Sequence, residues 1–137
     1  MRWYAAHLIQ YFKHRRGKQK SFFVWENIVL VRAASFEAAQ AQAEKIGKEQ
    51  EAHDEKSLTI GGHATRLVFA GVRKVVECLD PEHRPGQGTE VSYTEMELSS
   101  ERAIRKLVSG QPVSVTIADF EPEETEETDS KPQRQAV

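Results

Sequence analysis

Apolar and polar positions alternate with the period of a strand over residues 2–12. Trp3, Ala5, His7, Ile9 and Tyr11 fall on one side, and Tyr4, Ala6, Leu8 and Phe12 on the other. A period of two, rich in aromatics, predicts a β-strand. The basic stretch KHRRGKQK at 13–20 breaks the pattern, with Gly17 suited to a turn. Alternation resumes over 21–32, so strand, short polar loop and strand predict a hairpin with a basic tip. Ser35 then offers an N-cap to a helix. Phe36, Ala39, Ala43 and Ile46 share one face of it, a narrow seam suited to packing on a sheet. Gly47 costs that helix about 1 kcal/mol relative to alanine, which predicts a fraying end.

The second half of the chain is punctuated more often. SLTIGGHAT, around Gly61–Gly62, predicts a tight hairpin. A long strand follows over TRLVFAGVRKVVEC, where Gly71 predicts a bulge or a close backbone approach. LDPEHRPGQG reads as a loop and TEVSYTEMEL as a further strand. Ser99 or Ser100 caps a short helix closed by Gly110, and VSVTIADF reads as the last strand. The predicted order is β-β-α-β-β-β-α-β. Hairpins dominate, so the fold class is α+β: a mainly antiparallel sheet of five or six strands, with one long and one short helix on one face. A ferredoxin-like split βαβ fits poorly with a chain that opens on a hairpin. Residues 1–119 are expected to form one domain, and 120–137 an acidic, disordered tail.

The second strand, FFVWENIVLV at 22–31, poses the functional question. Phe22, Val24, Glu26, Ile28 and Leu30 share one face; Phe23, Trp25, Asn27, Val29 and Val31 share the other. Both faces are apolar, so both call for cover. Helices can supply one layer, and a second copy of the chain is the simplest source of the other. Trp25, Asn27 and Val29 are the candidate interface residues of such a homodimer. Glu26, set in this apolar strand, needs a partner. Arg73 is the best candidate, through bidentate hydrogen bonds, with His7 and Tyr93 completing a network. Apart from Glu26 simply reaching solvent at a sheet edge, two readings follow. In one, the network is a structural ion pair that fixes strand register within a non-catalytic protein-interaction or regulatory module. In the other, Glu26, Arg73, His7 and Tyr93 line a polar pocket that binds a small molecule or does acid–base chemistry.

Composition narrows the choice. The net charge is −2, but residues 119–137 hold seven of the 21 acids and two of the 19 bases, which leaves 14 acids and 17 bases on the body. A body so near neutrality argues against a dedicated nucleic-acid binder. The basic loop Lys13, Arg15, Arg16, Lys18 and Lys20 is the one hint of phosphate contact, and a charged run is more often a solvated turn. Cys78 is the single cysteine, which excludes an intramolecular disulfide and a thiolate metal cluster and suits the cytoplasm. No run approaches the roughly 18 apolar residues needed to span a bilayer. The N-terminal MRWYAAHLIQYF, interrupted by polar residues and followed by basic ones, reads as part of the fold rather than a secretion signal. The histidines show no metal-ligand spacing, no glycine-rich loop opens a helix, and no serine sits in a nucleophile-elbow pattern. No metal and no cofactor is therefore expected.

The blocks WYAAHLI, VWENIVLV, FAGVRKVVEC and GTEVSYTEMEL, in this order with a helix after the second, resemble the family grouped as domain of unknown function 4288. The resemblance spans roughly residues 3–117. It implies a bacterial, intracellular protein and no assigned activity, so no catalytic residue is carried over from it.

Overall fold

The computed structural model describes residues 1–53 and 58–119. The expected tail at 120–137 lies outside the described residues. The strand and helix order is the predicted one: β1 (Arg2–His14), β2 (Val24–Ala33), α1 (Phe36–Ala52), β3 (Thr59–Ile60), β4 (His63–Glu77), β5 (Met96–Glu97), α2 (Glu101–Ser109) and β6 (Thr116–Ile117). The class is α+β with antiparallel sheets. The chain divides into two units, the first ending at Ser92 and the second beginning at Tyr93.

In the first unit the sheet order is β2-β1-β4-β3. β1 is central and antiparallel to both β2 and β4. Those two therefore run parallel, joined through α1 with β1 between them, which is a split βαβ unit. The opening hairpin does not exclude that arrangement, because its first strand supplies the inserted central one. The hairpin turn at Gly61–Gly62 has the expected positive φ angles, 58° and 81°.

Helix α1 begins where the sequence says it should. Ser35 is extended, and its side chain accepts a hydrogen bond from the Ala38 N–H at 3.1 Å. The buried stripe of α1 is Ala39, Ala43 and Gly47, at spacings of four. Phe36, expected on that stripe, is exposed. These small residues bring the helix backbone down onto Tyr4, Ala6, Leu8, Val31 and Ala33, which form the core with Val72 and Val75 packed at its margin. Gly47 has a specific reason to be glycine: a Cβ there would lie 2.3–2.5 Å from the ring of Phe69. Of the two alternatives expected at Gly71, a bulge or a close backbone approach, the irregular register beside it is the bulge, and the close approach occurs at Gly47. A Cβ at Gly71 would meet open space, and that residue is glycine because its φ is 148°.

Gly71 does sit in irregular strand. The β1–β4 register shifts between His7 and Leu8 and again between Ile9 and Gln10. His7 pairs with Lys74 and Leu8 with Val72, so Arg73 is the extra residue of the first bulge. Ala70 is the extra residue of the second, next to Phe69, whose N–H donates to the Glu51 carboxylate of α1 at 2.7 Å.

The segment after β4 returns along β1. Trp3 N–H donates to the Pro81 carbonyl at 2.8 Å, and Cys78 N–H donates to the Trp3 carbonyl at 3.0 Å. Cys78 is buried, which pushes its thiol up from its ordinary range and suits a packing role.

The second unit is a small β-α-β piece. β5 and β6 pair antiparallel over two residues each, with α2 between them in sequence. Ser100 caps α2, accepting from the Ala103 N–H at 3.0 Å, and Gly110 closes it with φ of 79°. The long strands expected over TEVSYTEMEL and VSVTIADF shrink to these short ladders, which form a sheet separate from the first.

Candidate functional site

Glu26 and Asn27, adjacent in β2, enter two polar chains on opposite faces of the sheet. On the helix-covered face, Asn27 Nδ2 donates to Gln10 Oε1 at 2.6 Å, and Gln10 Nε2 donates to Gln50 Oε1 of α1, also at 2.6 Å. Gln10 is only 3% exposed, so these bonds satisfy amides that would otherwise be costly to bury.

On the other face, Glu26 Oε2 receives three contacts. His7 Nδ1 lies 2.6 Å away, Arg73 Nε donates at 2.8 Å, and Arg73 Nη2 lies at 2.6 Å. The second nitrogen of His7, Nε2, meets the Ser92 hydroxyl. The strand register explains the convergence. His7 lies directly opposite Ile28, which makes Glu26 its diagonal neighbour on the same face. On the far side of β1, the bulge at Arg73 re-aims that side chain across the strand. Two of the three guanidinium nitrogens, Nε and Nη2, meet one carboxylate oxygen, so the expected fork onto two oxygens is replaced by convergence on one. His7 is fully buried, while the Glu26 and Arg73 side chains are 28% and 16% exposed.

The sequence thus brings Glu26, Arg73 and His7 together as expected. Tyr93 is the first residue of the second unit, and it is the preceding residue, Ser92, whose side chain reaches His7. Of the candidate interface residues, Val29 packs against the core and Asn27 bonds to Gln10, both on the face that α1 covers. Trp25 is on that side too, 55% exposed and edge-on to Phe12. The open face of β2 is the opposite one, carrying Val24, Glu26, Ile28 and Leu30.

Burial is the largest influence on His7 and holds its imidazole below the ordinary 6.5. The hydrogen bond to Glu26 works the other way without prevailing, and the nearby charges of Lys74 and Arg73 reinforce the lowering. For Glu26, burial alone would raise the carboxyl, but the hydrogen bonds from Arg73 and His7, with the charge on Arg73, hold it below 4.5. Both shifts have the same consequence on acidification. The unfolded chain takes up the His7 proton first, so stability falls as pH drops below about 6.5. The Glu26 contribution, present above about 4.5, is then lost as pH falls through its lowered folded value. His83, raised by its hydrogen bond to Asp80, has the opposite sign, but that pair is exposed and contributes little. Thermal melts should show a flat Tm between neutrality and about pH 8, a decline on acidification beginning near 6.5, and a decline above about 9 as the unfolded chain ionises Cys78 first. His7→Gln should remove the upper part of the acid-side decline. An unchanged profile in the variant would place the titrating group elsewhere.

Two further features were not foreseen. The rings of His14 and His63 stack at 4.2 Å, and both line a cavity of about 180 Å³ with Phe12, Gln19, Phe23 and Thr65. Among the described residues no group of three or more His, Cys, Asp or Glu is placed to hold a metal ion. No described helix is long and apolar enough to cross a membrane.

A family model described as "Domain of unknown function (DUF4288)" matches residues 3–92. The chain belongs to the DUF4288 family. The match ends at Ser92, where the first unit also ends, so the DUF4288 region holds the four-stranded sheet, α1 and the whole Glu26–His7–Arg73–Ser92 network. It stops short of the residue 117 suggested by the sequence blocks. No curated protein and no solved structure matches this DUF4288 chain.

Proposed function

We propose that this DUF4288 chain is a non-catalytic protein-interaction or regulatory module that acts as a homodimer in the bacterial cytoplasm. One observation carries the reading. Phe22, Val24, Ile28 and Leu30, alternating along one side of the hairpin's second arm, are 43–55% exposed in the single chain, and Phe23 is 71% exposed. The first four flank Glu26 in a strip on one exposed face, and grouped exposed apolar side chains rimmed by polar residues mark interaction surfaces. The polar cluster beside it serves as the structural element that holds β1, β2 and β4 in register. Ile28→Glu puts a second charge beside Glu26 in the strip and should shift the protein to monomer in sedimentation velocity while its melt stays cooperative. A variant that stays dimeric would remove the strip from the interface.

The second reading, a polar pocket around Glu26, Arg73 and His7 that binds a small molecule or does chemistry, has one observation in its favour. Ser92 Oγ, His7 Nε2, His7 Nδ1 and Glu26 follow one another in the order of a serine–histidine–acid relay. Against it, His7 has no exposed surface, and Arg73 neutralises the carboxylate that would stabilise an imidazolium. A fluorophosphonate probe discriminates between the two. No label at Ser92 is expected, and stoichiometric labelling lost in Ser92→Ala would establish the chemical reading.

A further inference from the structure

We propose that two copies join edge to edge through β2, antiparallel and centred on Val29, so that the two four-stranded sheets become one of eight. This rests on the homodimer reading and specifies its geometry.

The sheet order leaves β2 at an edge. Its backbone directions follow from neighbouring bonds. Phe12 N–H donates to the Phe23 carbonyl, and the Phe12 carbonyl accepts from Gln19 Nε2, so even-numbered residues of β1 turn toward β2. The β1–β2 register has no shift. Trp25, Asn27, Val29, Val31 and Ala33 therefore turn their backbone groups inward, while Val24, Glu26, Ile28, Leu30 and Arg32 turn theirs out. Among the described residues, the hydrogen bond to a backbone group of this outward row is at its end, where Gln42 Nε2 approaches the Arg32 carbonyl at 3.5 Å. Ten residues long, β2 carries no proline or bulge to blunt the edge, and the charges on its outward row are Glu26 and Arg32.

The outward row also limits the register. Outward groups must meet outward groups, so even-numbered residues pair with even-numbered residues. Centred on Val29, the pairing sets Glu26 opposite the partner's Arg32 and Ile28 opposite the partner's Leu30. Shifting the centre to Ile28 would set Glu26 opposite the partner's Leu30; shifting it to Leu30 would move Glu26 beyond the partner's strand. Only the Val29 register joins opposite charges. It also fuses Ile28 and Leu30, 50% and 43% exposed, into one apolar band with their counterparts. Glu26 has capacity for this contact, because its network converges on Oε2. Arg32 is exposed and enters no ion pair recorded among the described residues.

The full chain with Val29→Cys tests the register. Across a non-hydrogen-bonded antiparallel pair the two Cα atoms lie about 4.5 Å apart, within disulfide range. Under copper–phenanthroline oxidation, a disulfide-linked dimer should form on a non-reducing gel, with none in the parent chain, whose Cys78 is buried. Linkage through Ile28→Cys but not Val29→Cys would overturn the register. Arg32→Glu, which sets Glu against the partner's Glu26, should weaken the dimer at least tenfold by sedimentation with an unchanged melt, and an unchanged affinity would also overturn it. A wild-type dimer that links through neither cysteine overturns strand pairing and leaves the dimer reading standing. A monomer overturns both. If the strand instead captures a different protein, the purified chain will be monomeric, and the proposal fails.

Discussion

Glu26→Ala should lower unfolding stability by about 2 kcal/mol, because the ion pair it breaks is partly buried and falls between the surface and the buried case. The loss comes mostly from what remains. Arg73, at 16% side-chain exposure, would keep its charge without the carboxylate, and fully buried His7 would lose the acceptor at Nδ1. Glu26→Gln should cost less, since the amide oxygen can still accept from one of them. Replacing both charged partners, as in Glu26→Leu with Arg73→Met, should recover most of the loss, because a buried pair contributes little net stability over apolar residues of similar size. Urea denaturation checks all three, with an unchanged m-value as the sign that the transition stays two-state. A loss under about 1 kcal/mol for Glu26→Ala would mean that the carboxylate behaves as a surface charge.

Gly47→Val should destabilise by about 3 kcal/mol, the upper end of what overpacking a core ordinarily costs. On helix propensity alone, replacing this glycine by alanine should gain about 1 kcal/mol. The ring of Phe69 reverses the sign, because it occupies the space a Cβ would take, at 2.3–2.5 Å. Its backbone is anchored by the Glu51 bond, which restricts how far the ring can retreat. Gly47→Ala should therefore be destabilising, with Gly47→Val worse. Adding Phe69→Ala to Gly47→Ala should recover part of the stability, and a thermal melt of the four proteins reads the coupling. If Gly47→Ala raises the Tm, the ring swings aside and the seam is looser than described.

These two residues show where the sequence is legible and where it is not. Signals that act within a few residues were readable. Ser35 and Ser100 cap the helices they precede, Gly110 closes the second, and Gly61–Gly62 makes its turn. The meeting of Glu26 with Arg73 was readable because an ion in an apolar strand has few acceptable partners. Gly47 was misread as a weak point, since its reason lies 22 residues away in the ring of Phe69. Gln10, Gln50 and Ser92 carry no local mark, and their roles arise from contacts that cross 40 and 85 positions of the chain. The bulge that re-aims Arg73 was signalled only indirectly, by Gly71 two residues earlier. The open face of β2 was expected, but on the wrong side. Alternation shows that two faces exist, while the side α1 takes follows from the handedness of the crossover between the parallel strands β2 and β4.

The same reasoning accounts for a polar pair in the middle of an apolar strand. Glu26 ties β2 through His7 to β1 and through Arg73 to β4, Asn27 ties it through Gln10 to α1, and the hydrocarbon side chains of the open face are left to meet another surface. The mass of the purified 137-residue chain in solution tests that account most directly. Light scattering across a dilution series from tens of micromolar should give twice the 15.5 kDa chain mass at the concentrated end, falling toward the single-chain value on dilution. A mass of 15.5 kDa throughout, with a cooperative melt showing the chain folded, would contradict it.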